Sequence, residues 1–119
     1  MRGLLLIDHG SRRAEANTQL EDMARRVAGL RPGDEVGVAH MEIAQPDIAA
    51  GVADLVTRGA TEIVALVYFL GDGRHVSTDV PHLVAQACAA FPGVTWRCSP
   101  ALGPHDVLAR LLLERAGLS

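Results

Sequence analysis

Three residues that can bind a transition metal or carry a proton stand at the ends of three apolar segments. His9 follows "LLLID" in "LLLIDHGSR", Glu42 follows "EVGVAHM", and His75 lies a few residues beyond "IVALVYF". Neutral imidazoles suit cobalt, nickel, zinc or ferrous iron, and with a carboxylate they can hold a divalent ion while leaving positions open for another ligand. The same groups accept protons. Their long separations do not by themselves establish a metal, as an H-E-x-x-H helix would, where one element fixes the geometry. Each residue also has a plain structural use. His9 can bond a loop carbonyl, and Glu42 can stabilise a following helix start through the helix dipole. Asp8 can bond backbone or orient His9, and the second role is the expectation. His40, His82 and His105 fall in an edge strand, a helix and a first helical turn, where structural roles are expected. Gly71 and Gly73 permit a tight turn before His75.

The elements that must position these residues alternate strand and helix. Strands are expected near Gly3 to Asp8, Glu35 to Met41, Glu62 to Phe69 and Val94 to Ser99, each separated by enough chain for a helical crossover and hence parallel pairing. Helical spacing recurs in Leu20, Met23, Ala24 and Val27; in Ile48, Val52, Leu55 and Val56; in Val80, Leu83, Val84, Ala87 and Phe91; and in Leu108, Leu111 and Leu112. Pro46 suits a first-turn position of the second helix and Gly59 its stop. Ser77 or Thr78 is expected to cap the third helix, with Pro81 inside its first turn. The runs "LLLI" and "IVALVYF" are continuously apolar, as strands covered on both faces must be, whereas "EVGVAH" and "VTWRC" are mixed and read as edges. Right-handed crossovers about that centre predict an α/β fold: an open four-stranded parallel sheet, order 2-1-3-4, with helices on both faces. The strand order then reverses between strands one and three, where open α/β sheets bind ligands. His9 and His75 flank that point.

The 119 residues suit a single domain, 1–119, with a hydrophobic share of 49% and a charged share of 21%. No apolar run is long enough for a membrane span, and the N-terminus lacks the layout of a cleavable signal, so a cytoplasmic protein is expected. A net charge of −3 without a basic stripe argues against nucleic acid. Cys88 and Cys98 do not form a C-x-x-C pair and are expected to be buried, reduced thiols. A histidine phosphatase would place arginine before the first histidine, but Asp8 stands there, and an acid beside the nucleophile would repel phosphate. A receiver domain needs a lysine, and all eleven basic residues are arginine. Both glycine-rich nucleotide motifs are missing.

"LLLIDHGSRR", "AHMEIAQPDI", "VYFLGDGRHVSTDVP" and "ALGPH" together resemble the sirohydrochlorin chelatases of the CbiX and SirB type, over nearly the whole chain and in the same order. The resemblance implies insertion of Co²⁺, Fe²⁺ or Ni²⁺ into sirohydrochlorin, a reduced tetrapyrrole, with the metal as substrate and no organic cofactor. It implies that His9 and His75 bind metal and accept protons, with Glu42 as the nearby carboxylate that completes the metal site or relays protons. Ser11, Arg12 and Arg74, beside the histidines, are the expected contacts to the substrate's carboxylates, arginine through charge-assisted hydrogen bonds; Arg13 is a further candidate. The single-unit length resembles the short form of the family and implies a homodimer. Asp72 and Gly71 depart from the more apolar loop of many relatives. Activity is expected to fall below about pH 6.5, because imidazolium cannot bind a metal. The non-enzymatic alternative is a carrier of metal or tetrapyrrole that does not catalyse insertion.

Overall fold

The computed structural model describes residues 1–73 and 75–118; Arg74, an expected substrate contact, lies outside them. Among the described residues four strands and four helices alternate: β1 (Arg2–Asp8), α1 (Ala14–Leu30), β2 (Glu35–His40), α2 (Ile48–Thr57), β3 (Glu62–Val67), α3 (Val76–Cys88), β4 (Thr95–Cys98) and α4 (Asp106–Arg115). All pairings are parallel and the sheet order is β2-β1-β3-β4, as the distribution of apolar runs predicts. Strand β1 pairs on both edges, Leu5 standing beside Gly37 on one side and Ala65 on the other. It buries every residue from Gly3 to Ile7. This is the composition expected of a strand with no solvated face.

The main core lies between the sheet and the α2–α3 layer, where Leu5, Ile7, Ile63 and Ala65 meet Val52, Leu55, Val80 and Val84. Helix α2 approaches very closely: a Cβ on Gly51 would sit 2.9 Å from Leu5 and 3.0 Å from Ala39. Only glycine allows that approach. Helix α1 covers the opposite face over β1 and β2 and buries Leu20 completely. Helix α4 differs from the other three. None of its residues is buried, and the Leu108, Leu111 and Leu112 stripe meets no strand or helix in substantial contact.

The helix starts differ from expectation in two places. Asp47, not Pro46, begins α2; its carboxylate accepts the Ala50 N–H at 2.9 Å, leaving Pro46 before the cap. Neither Ser77 nor Thr78 caps α3. Its N-cap is His75, in the left-handed conformation, and the Asp72 carboxylate reaches from the preceding loop to accept the Ser77 N–H at 2.9 Å. Pro81 therefore falls in the second turn. His105 caps α4, Nδ1 accepting the Val107 N–H at 3.0 Å. Cys88 is buried and Cys98 partly so, both free, and burial pushes both thiols up, with Cys88 adding to the effect on Cys98.

Candidate functional site

The β1–β2 register determines which residues meet at the strand ends. Asp8 stands opposite His40, and the backbone ladder continues past the strands: Met41 N–H donates to the Asp8 carbonyl at 2.8 Å and Glu42 N–H to the His9 carbonyl at 3.1 Å. The pairing thus places two acid–histidine pairs one residue apart. Inside, His40 Nδ1–H donates to the Asp8 carboxylate at 2.5 Å, with His40 2% exposed. Outside, His9 Nε2 lies 2.8 Å from Glu42 Oε1, with both side chains more than half exposed.

Asp8 therefore does not orient His9, contrary to expectation. Successive strand residues point to opposite faces, so Asp8 shares the α1 side with Leu4 and Leu6 and meets His40 there. His9 instead has Phe69 edge-on to its ring at a centroid distance of 6.5 Å, and the Gly10 carbonyl 3.3 Å from Nδ1.

Gly10 is the residue that lets His9 and Glu42 approach. Its φ is 95°, and a Cβ there would lie 1.9 Å from the Glu42 carbonyl oxygen. No side chain fits. That carbonyl also accepts the Ala44 N–H at 2.8 Å, closing a γ-turn around Ile43 at φ 73°. A β-branched residue in this region is an outlier, and strain of this kind, of order 1–3 kcal/mol, persists where the surrounding structure enforces it. His75 is the second non-glycine residue with positive φ among those described, at 62°. Its carbonyl accepts the N–H groups of Thr78 and Asp79, while its imidazole makes no capping bond and stays exposed. One positive-φ position directly follows the candidate Glu42 and the other is the candidate His75 itself.

His9, Glu42 and His75 line one open cavity of about 630 Å³ at the carboxyl end of the sheet. The size is within the range of small-molecule sites. Met41, Phe69 and Leu70 provide apolar wall, and Asp79 stands one helical turn beyond His75. These last four were not singled out from the sequence. Met41 directly follows β2 and Phe69 lies two residues past β3, and Asp79 is the acid of "GRHVSTD", which were the available signals. The three candidate ligands do not converge on one point: among the described residues no three His, Cys, Asp or Glu side chains form a ready metal cage. His9 and Glu42 come from the β1 and β2 ends and His75 from the start of α3.

Ser11 and Arg12 do not line this cavity. The Ser11 N–H and carbonyl are both held by the Asn17 side chain, at 2.9 and 2.7 Å, and its hydroxyl accepts the Arg13 N–H at 3.0 Å. Ser11 thereby fastens the loop to α1. Arg12 is exposed, and Arg13 pairs with Glu15 at 2.9 Å.

The model of the CbiX family matches residues 3–117. The chain belongs to the CbiX family. It is 37% identical over 113 residues to the chloroplastic sirohydrochlorin ferrochelatase of Arabidopsis thaliana, covering 95% of this chain and 50% of that one. With the sirohydrochlorin cobaltochelatase of Methanococcoides burtonii it shares 29% identity over 122 residues, 96% of this chain and 93% of the other. Its fold matches the cobalt complex of the sirohydrochlorin chelatase SirB from Bacillus subtilis subspecies spizizenii with a TM-score of 0.88 at 21% identity, covering 98% of this chain and 50% of SirB. This CbiX chain thus spans half the length of two of these relatives and nearly all of the third. No helix among its described residues is long and apolar enough to cross a membrane.

Proposed function

We propose that this chain inserts a divalent metal, Co²⁺ or Fe²⁺, into sirohydrochlorin, acting as a metal chelatase of tetrapyrrole biosynthesis. The observation that carries the reading is the His9–Glu42 contact of 2.8 Å in the lining of a cavity that His75 also lines. The named activities of the Arabidopsis and Methanococcoides relatives support it.

Two pyrrole N–H protons leave the macrocycle as M²⁺ enters, so the site must give up a cation and take up protons. His9 Nε2 and Glu42 Oε1, 2.8 Å apart, are spent on each other. A metal taken up by either group breaks that contact. As the ion passes to the ring nitrogens, His9 and Glu42 are again free to accept one proton, and His75, with its imidazole uncommitted, accepts the other. Weak, incomplete coordination suits this role, because a metal that is substrate must be released; a closed cage would retain it. Met41, Phe69 and Leu70 offer the apolar face against which a flat macrocycle packs. Its carboxylates remain for Arg12 and Arg74 beside the two histidines, with Ser11 ordering the Arg12 segment. The two free thiols fit an aqueous, reducing compartment such as the cytoplasm. A homodimer completes the proposal.

An anaerobic absorbance assay with sirohydrochlorin and Co²⁺ or Fe²⁺ tests the reading on the wild type, His9→Ala and His75→Ala. Acceleration by the wild type and its loss in both variants is the expected result. Binding of tetrapyrrole or metal without acceleration would identify a carrier instead. Equal rates in all three proteins would remove the assigned residues from the reaction.

A further inference from the structure

Helices α3 and α4 both begin on a histidine, and the two histidines are used differently. His105 stands before α4 in the extended conformation usual for a cap, φ −158° and ψ 145°, and its Nδ1 accepts the Val107 N–H at 3.0 Å. His75 holds the same position on α3 at φ 62° and ψ 15°, and its side chain makes no capping bond. The Ser77 N–H is the counterpart of the Val107 N–H, since each lies two residues past its histidine. It goes to the Asp72 carboxylate instead, at 2.9 Å.

The N–H groups of a helix's first turn find no acceptor in the regular helix ladder and need one from outside it. On α3 all of them are satisfied without the imidazole. Val76 N–H donates to the Gly73 carbonyl at 3.1 Å, Ser77 N–H to Asp72, and the Thr78 and Asp79 N–H groups to the His75 carbonyl at 2.9 and 2.6 Å. A neutral imidazole has a single acceptor nitrogen, so a ring that caps a helix has spent the lone pair a cation or proton would take. His105 has spent its own. His75 lines the cavity beside His9 and Glu42 with no helix N–H left for its ring to serve.

We propose that Asp72 is a positioning residue for His75: its carboxylate takes the Ser77 N–H that the imidazole would otherwise cap and so leaves the ring to the cavity. The exchange of caps stands on the hydrogen bonds alone, whereas its use for a metal rests on the role proposed above for His75. The left-handed backbone belongs to the same arrangement, because a cap side chain ordinarily reaches the second or third N–H from an extended residue. Without Asp72, residue 75 gains twice by returning to the extended conformation. It sheds a positive φ and supplies the missing acceptor. Nδ1 of His75 is then spent on Ser77 as that of His105 is on Val107.

Two variants test this. Asp72→Ala removes the acceptor, and Asp72→Asn removes the charge while keeping an oxygen able to accept the same N–H. Asp72 is exposed, so both proteins are expected to fold, checked by circular dichroism. In nitrogen NMR of histidine-labelled protein at about pH 8, where imidazoles are neutral, His105 Nδ1 supplies the reference signal for a ring that caps a helix. His75 Nδ1 should lie away from that reference in the wild type and in Asp72→Asn and move toward it in Asp72→Ala. Titration with Co²⁺ should show binding about 10-fold weaker in Asp72→Ala and within about twofold of the wild type in Asp72→Asn. A His75 signal that stays in place in Asp72→Ala overturns the proposal. So does Asp72→Asn behaving like Asp72→Ala, since the charge and not the acceptor would then be what matters. A moved signal with unchanged Co²⁺ affinity leaves the exchange of caps standing and overturns the metal role of His75 instead.

Discussion

Two acid–histidine pairs lie side by side where β1 and β2 end, yet they occupy opposite environments. Asp8–His40, with His40 2% exposed, closes the end of the sheet at 2.5 Å, whereas His9–Glu42 at 2.8 Å opens to the cavity. Each pair joins a carboxylate to an imidazole, and the backbone ladder is continuous. What differs is water. A buried pair is committed to its partner, because removing either member strands a polar or charged group in the interior. The exposed pair can exchange its partner for a cation at modest cost, since solvent screens each member when they separate. The fold thus uses one chemistry twice, first to fix the strand ends and then, one residue further, to leave a separable pair exposed at the cavity.

The contrast can be broken in several ways. Replacing His9 by alanine should lower the metal-insertion rate by about 10²–10⁴-fold and shift thermal stability by no more than about 0.5 kcal/mol, as for other exposed positions; a parallel loss of stability would merge the two pairs into one structural unit. His40→Ala should do the reverse, costing about 3–5 kcal/mol in urea unfolding because Asp8 is left without its buried partner. A loss below 1 kcal/mol would show that the inner pair is dispensable. Glu42→Gln keeps the shape but removes the charge, and a fall of about 10–100-fold in rate is expected, visible as weaker Co²⁺ binding by titration. Unaltered Co²⁺ affinity would leave the carboxylate outside the metal step. The smallest effect belongs to groups outside both pairs. Burial holds the folded-state pKa of Cys88 and Cys98 above the unfolded value. Their contribution to stability is whole below the ordinary thiol pKa of about 8.5 and is lost as pH rises through the raised folded value. The melting temperature should therefore decline slightly more steeply above about pH 8.5 in the wild type than in Cys98→Ser; identical profiles would assign the alkaline loss elsewhere.

Much of this arrangement was legible from residue order. Continuous apolar runs in β1 and β3 announced the central strands, and with right-handed crossovers they led to the order 2-1-3-4 and to the strand ends where His9, Glu42 and His75 stand. Side-chain pairing was less accessible. Whether Asp8 turns toward His9 or His40 depends on register and on strand alternation across 32 residues, neither of which local sequence states. The α3 cap was missed for a related reason, since Asp72 reaches the Ser77 N–H from a loop while Ser77 and Thr78 only looked suitable. In α4 the leucine spacing correctly marked a helix. Periodicity tells that a face is apolar and says nothing about whether the same chain covers it.

The left-handed backbone at Ile43 bears on how this protein could be improved as a reagent. Glycine at that position would relieve the strain of a β-branched side chain at φ 73°, and a library ranked by melting temperature alone would favour such a change. The same turn holds the Glu42 carbonyl against Gly10. Selecting for heat resistance there would relax the segment that brings Glu42 to His9, so such a screen needs the proposed metal insertion as a second axis from its first round.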